Sequence, residues 1–113
     1  MGIAGGTVSD WRNYDSMYTE RYMGLFDEAR YRAASALEGL GRIQARLLLI
    51  HGMIDENVHF RHTGRLLDAL IRHRKPHELL LFPNERHMPR GEADRTYLEE
   101  RVRDFFLDAL RVR

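Results

Sequence analysis

The chain has no cysteine, which excludes disulfides and cysteine-ligated metal and leaves the redox compartment unstated. No apolar run approaches the roughly 20 residues needed to cross a bilayer, so the sequence points to no membrane span. Charge of one sign is also missing. Eighteen Lys+Arg against 17 Asp+Glu leave a net +1, without the basic excess that marks a nucleic-acid partner. Residues 1–6, Met-Gly-Ile-Ala-Gly-Gly, lack the basic region and long apolar segment of a secretory signal.

What is present describes one modest folded domain. The 113 residues suffice for a single core, and an apolar fraction of 43% belongs to a globular chain. The stretch from Arg46 to Phe60 organises it. Leu47 to Ile50 form an apolar run without alternation, closed by His51-Gly52, the pattern of a parallel strand covered on both faces. The carboxylate of Asp55 and the amide of Asn57, read as a helix cap, follow.

The remaining elements alternate around that strand. Residues 3–8 are small and apolar and read as a first strand, so close to residue 1 that a piece of something larger is expected. Trp11, Tyr14, Tyr18 and Tyr22 recur at spacings of three, four and four, which puts them on one face of a single helix capped by Ser9 or Asp10 and ended by Gly24. Buried tyrosine hydroxyls need partners, so a half-wet pocket wall suits this face better than a dry core. Short helices are expected over 27–34 and 36–40, a strand over 46–51, and a helix over 58–74 carrying Leu66, Leu67, Leu70 and Ile71. A strand over 77–82 follows, and then a helix over 92–111 with a stripe at Leu98, Val102, Phe105, Phe106, Ala109 and Leu110. Strand, helices, strand, helix, strand, helix predicts an α/β fold: a three-stranded parallel sheet with flanking helices.

Two consecutive strands each end near a candidate catalytic group, Asp55 after the first and His87 after the second. Parallel neighbours bring such loops to one edge of the sheet, where α/β sites lie. An Asp that orients an imidazole, with the His as general base, is two-thirds of a hydrolase triad, and acid before His is the α/β-hydrolase chain order. The bland reading is that Asp55 is a helix cap and His87 a solvent-exposed loop residue. A second alternative is a metal site built from His51, Asp55, His59 and His62.

Leu49-Ile50-His51-Gly52-Met53-Ile54-Asp55-Glu56-Asn57-Val58-His59-Phe60 resembles the acid-bearing segment of the dipeptidyl peptidase IV branch of the prolyl oligopeptidase family. Pro83-Asn84-Glu85-Arg86-His87 resembles that branch's histidine loop, and Trp11 to Gly24 its aromatic pocket segment. The resemblance implies the C-terminal part of an α/β-hydrolase domain over residues 1–113. It implies Asp55 and His87 as triad acid and base and Asn57 as an amide that binds the substrate backbone. Tyr14 would lie near the substrate's amino terminus, and Trp11, Tyr18 and Val58 would form walls of the pocket for penultimate proline or alanine. Full-length relatives remove dipeptides from peptide N-termini through an acyl-enzyme on serine. No metal or organic cofactor is implied.

The sequence departs from that pattern in one respect that decides activity. Its serines are Ser9, Ser16 and Ser35, and none lies in a Gly-x-Ser-x-Gly turn. The chain alone is therefore expected to be inactive. Self-association through an open sheet edge or exposed sheet faces is also expected, since proteins rarely leave an apolar strand edge unpaired.

Overall fold

β2 (Leu47–Gly52) is the middle of a three-stranded parallel sheet, flanked by β1 (Gly2–Gly5) and β3 (His77–Phe82). The computed structural model describes residues 1–111. The register pairs Leu48 with Ile3 on one side and Glu78 on the other, and Leu49 with Ala4 and Leu79. Side chains of a strand alternate between faces, so the apolar run of β2 divides into two cores. Leu49 packs with Leu40, Leu66 and Leu70, while Leu48 packs with Leu80, Phe82 and Phe105. Leu48 and Leu70 have no exposed surface, and burial of each stabilises the fold by roughly 2 kcal/mol.

The first core lies beneath α3 (Arg61–Arg72) and a 3-10 helix, Ala36–Arg42; the second lies beneath α4 (Glu92–Leu110). This is the expected fold class. Leu79 and Leu81 share the α3 side of the sheet yet stay 38% and 36% exposed, because α3 covers β2 rather than β3. Phe106, Leu107 and Leu110 of α4 are exposed as well; of the expected stripe, Leu98 and Phe105 pack into the core on the sheet. Among the described residues, no helix is long and apolar enough to cross a membrane.

Several boundaries differ from expectation for local reasons. β1 stops at Gly5 because Gly6 turns the chain with a φ of 54°. The aromatic segment is two elements, not one helix. Asp10 caps a 3-10 turn, Trp11–Asn13, while Asp15 caps α1 (Ser16–Met23) by accepting from the Tyr18 N–H at 2.9 Å. α2 (Glu28–Ala33) starts after its cap, Asp27. α3 starts at Arg61 rather than near residue 58, and Asn57 does not cap it. The N–H groups of Asn57 and Val58 both turn inward to Asp55, which breaks helical continuity there. At the other end Arg74 adopts a φ of 52° and Lys75 N–H closes on the Leu70 carbonyl at 2.8 Å.

Candidate active site

The loops after β2 and β3 are locked together by backbone contacts. Met53 N–H donates to the Phe82 carbonyl at 2.9 Å, and Ile54 N–H to the Glu85 carbonyl at 3.2 Å. The approach needs a glycine: a Cβ on Gly52 would sit 1.8 Å from the Arg86 carbonyl oxygen and 2.4 Å from that of Glu85. Glu85 in turn accepts from the N–H groups of Arg90 and Gly91, holding the histidine loop closed on itself. Arg86 reaches back to pair with Glu56.

Those constraints set the Asp55 carboxylate against the His87 imidazole. Asp55 Oδ1 accepts from Asn57 N–H at 2.9 Å and Val58 N–H at 2.8 Å, and Oδ2 lies 2.9 Å from His87 Nδ1. Burial of the carboxyl opposes ionisation, but the His87 hydrogen bond, the two backbone donors and the His87 charge together hold it below the ordinary carboxylate range. A carboxylate only accepts, so Nδ1 of His87 carries the proton. Nε2 then faces away with no hydrogen-bond partner among the described residues, as a general base requires. The Asp55 side chain is 1% exposed and that of His87 44%, so the carboxylate is shielded and the imidazole is open.

His87 lies over the turn that ends β1. A Cβ on Gly6 would come within 2.7 Å of His87 Cε1. Beside the ring is a cleft of about 280 Å³ whose walls include Gly6, Phe82, Met88 and Val102. Placed this way, the pair can hold an imidazole in one tautomer, take a proton at Nε2 and stabilise the resulting cation.

The aromatic segment meets this site through one hydrogen bond, from the Tyr14 hydroxyl to Asn57 Oδ1 at 2.7 Å. Trp11, Tyr14 and Tyr18 form a cluster, with Tyr14 edge-on to Trp11 and to Tyr18 at centroid separations of 5.8 and 5.5 Å. Tyr18 is 49% exposed, whereas Val58 is only 3% exposed and its backbone, not an open surface, meets Asp55. Asp10 anchors the cluster's base. Buried, it accepts from the Arg12 backbone N–H at 3.0 Å and from the Arg12 guanidinium at 2.7 Å, which also pairs with Glu28.

The four residues of the metal alternative do not converge. His51 is bonded at both ring nitrogens, to Thr63 and the Val58 carbonyl, and His62 at both, to Ser9 and the Asn13 carbonyl. His59 lies before α3 rather than on it. Among the described residues, no group of three or more His, Asp or Glu side chains is placed to hold a metal ion.

A profile of the Prolyl oligopeptidase family matches residues 1–113. The chain belongs to the prolyl oligopeptidase family. Among its relatives, dipeptidyl peptidase 8 of Mus musculus is 47% identical over 92 residues, which is 77% of this chain and 10% of that protein. A probable dipeptidyl-aminopeptidase B of Arthroderma gypseum is 37% identical over 112 residues, 96% of this chain and 12% of that one. The crystal structure of Porphyromonas gingivalis dipeptidyl peptidase 4 superposes with a TM-score of 0.90 at 35% identity, covering 95% of this chain and 16% of the other. The chain thus spans about a tenth of the length of these curated relatives, and its sheet and flanking helices match part of an α/β-hydrolase domain.

Several residues that build the site are assigned no such part by sequence alone. Gly6 and Gly52 meet the histidine loop, far along the chain, while Asp10, His51 and Glu85 act through hydrogen bonds that residue type alone does not reveal.

Proposed function

We propose that residues 1–113 supply the acid, the base and part of the substrate pocket of a serine-type dipeptidyl peptidase. The observation that carries this reading is the 2.9 Å contact between Asp55 Oδ2 and His87 Nδ1, with Nε2 open. In the reaction, His87 Nε2 takes the proton of a serine hydroxyl as its oxygen bonds to the scissile carbonyl. The imidazolium, stabilised by Asp55, returns that proton to the departing amine as the peptide C–N bond breaks. Water then hydrolyses the acyl-serine by the same exchange. The serine is not among Ser9, Ser16 and Ser35. Ser9 and Ser35 are buried, with Ser9 bonded to His62 and Ser35 to the Ser9 carbonyl, and Ser16 opens α1.

Asn57 and Tyr14 form a polar pair suited to a peptide backbone, with Asn57 binding a carbonyl through its free amide N–H groups. Trp11 and Tyr18 give a rigid aromatic wall that favours a compact ring such as proline or a small alanine side chain; Val58, only 3% exposed, supports the pocket through its backbone bond to Asp55. Peptides with proline or alanine at the penultimate position are the proposed substrates. The test is hydrolysis of Ala-Pro and Gly-Pro chromogenic dipeptides by the 113-residue chain. No turnover is expected without a serine nucleophile; turnover that disappears in His87→Ala would contradict the expectation that the chain alone is inactive, while leaving His87 as the base.

A second proposal is self-association. The exposed Leu79 and Leu81 of β3 and Phe106, Leu107 and Leu110 of α4 support it. Light scattering at high concentration is expected to give at least a dimer, and a monomer contradicts it.

A further inference from the structure

Asp55 has a second imidazole beside it. His51, on β2, is 1% exposed and packs toward α3. Its Nε2 lies 2.7 Å from the Val58 carbonyl and 3.6 Å from Asp55 Oδ2, the same oxygen that accepts from His87. Its Nδ1 lies 2.8 Å from Thr63 Oγ1 on α3. A carbonyl only accepts, so Nε2 bears a proton, and the Thr63 hydroxyl fixes the ring's rotation from the other side. Phe60 closes the cage edge-on, with its ring centroid 5.6 Å from that of His51.

We propose that His51 is a positioning residue for the acid. Residues 55–58 form a turn whose inside is the Asp55 carboxylate, held by the Asn57 and Val58 N–H groups. Val58 is the last residue of that turn, and its carbonyl is pinned by His51. The imidazole therefore fixes the far end of this short segment by its bond to the Val58 carbonyl, and its ring lies 3.6 Å from Asp55 Oδ2 at the near end, in contact but without a hydrogen bond. Without it the turn can rotate, and Oδ2 loses its alignment with His87 Nδ1. Hydrogen bonds to charged groups depend steeply on such alignment.

The inference rests on Asp55 and His87 being acid and base, yet its readout needs no turnover. Nitrogen-resolved proton NMR of the full chain reports the His87 Nδ1–H bonded to Asp55. His51→Phe, which keeps ring volume but removes the donor, is expected to speed solvent exchange of that proton by roughly tenfold or more, measured well below the unfolding temperature. His51→Gln, whose amide N–H reaches the Val58 carbonyl, is expected to restore exchange to within about twofold of the original. Thr63→Val, a milder change less prone to unfold the chain, is expected to speed exchange by a smaller factor. If His51→Phe and Thr63→Val leave the signal unchanged, or if Gln does not rescue it, His51 does not position the acid. A merely structural role would lower the unfolding temperature and leave exchange as it was. Absence of a bonded His87 Nδ1–H in the unsubstituted chain would instead overturn the acid–base reading itself.

Discussion

Asp55 Oδ2 lies 2.9 Å from His87 Nδ1, while the other oxygen of the same carboxylate closes the turn to Asn57 and Val58. One side chain thus builds its own loop and orients the imidazole on the next one. Asp55→Asn separates these tasks. The amide oxygen can still close the turn, but its N–H₂ faces His87 Nδ1 and forces the proton onto Nε2. The variant is expected to stay folded, with the His87 tautomer reversed in nitrogen NMR. Asp55→Ala loses all three bonds and is expected to cost about 3 kcal/mol in denaturant unfolding.

Gly52→Ala is expected to damage the site through the backbone. Its Cβ would meet two carbonyl oxygens of the histidine loop at 1.8 and 2.4 Å, so the loops must part. A loss of roughly 3 kcal/mol or more is expected, with loss of protection at the Met53 and Ile54 amides in hydrogen exchange. Gly6→Ala, at a φ of 54° and over His87, is expected to cost about 1–3 kcal/mol and to displace the imidazole.

Tyr14→Phe removes the hydroxyl that donates to Asn57 Oδ1 and leaves the aromatic cluster intact. The bond is exposed, so stability should fall by no more than about 1 kcal/mol. Greater mobility of the Asn57 side-chain amide in NMR is the expected signature.

Acid is expected to weaken the fold in two stages. The Arg12 hydrogen bond outweighs burial and holds the Asp10 carboxyl below its ordinary 3.8, while His87 and the turn N–H groups do the same against the burial of Asp55. Carboxyls depressed in the folded state contribute stability that is full above 3.8 and is lost as pH falls through their lower folded values. Burial pushes the His62 imidazole below its ordinary 6.5, a direction that the Asn13 carbonyl opposes and the Arg65 charge reinforces. The unfolded chain then binds more protons than the folded one just below 6.5, so stability starts to decline there. Thermal midpoints should drop gently below 6.5 and steeply below 3.8. A flat profile from neutral pH to pH 3 would contradict both assignments.

The fold was legible because β2, β3 and α4 carry strong patterns: Leu47 to Ile50 without alternation, Leu79 to Phe82 between Lys75-Pro76 and Pro83, and Leu98–Val102–Phe105 at helical spacing. Asp55 and His87 could be paired because both follow neighbouring strands. The start of α1 could not be read, since Asp10 and Asp15 are equally good caps by residue type. Both in fact cap: Asp10 the 3-10 turn and Asp15 α1. Asn57 looked like a cap for the same reason, but its backbone N–H is held by Asp55 and its side-chain oxygen by Tyr14. Gly6 and Gly52 owe their necessity to a loop more than 30 residues away, and His51 is held between the Val58 carbonyl and Thr63 of α3. No local pattern records such contacts.

The most direct measurement is dipeptide release by a hydrolase that has a nucleophilic serine and carries residues 1–113 in place of its own matching segment. Mouse dipeptidyl peptidase 8, 47% identical over 92 residues, is a suitable host. The chimera is expected to hydrolyse Gly-Pro chromogenic dipeptide, with kcat falling by about 10³-fold or more in His87→Ala and in Asp55→Ala. A folded, active chimera whose kcat is unchanged by His87→Ala would contradict the assignment of Asp55 and His87 as acid and base.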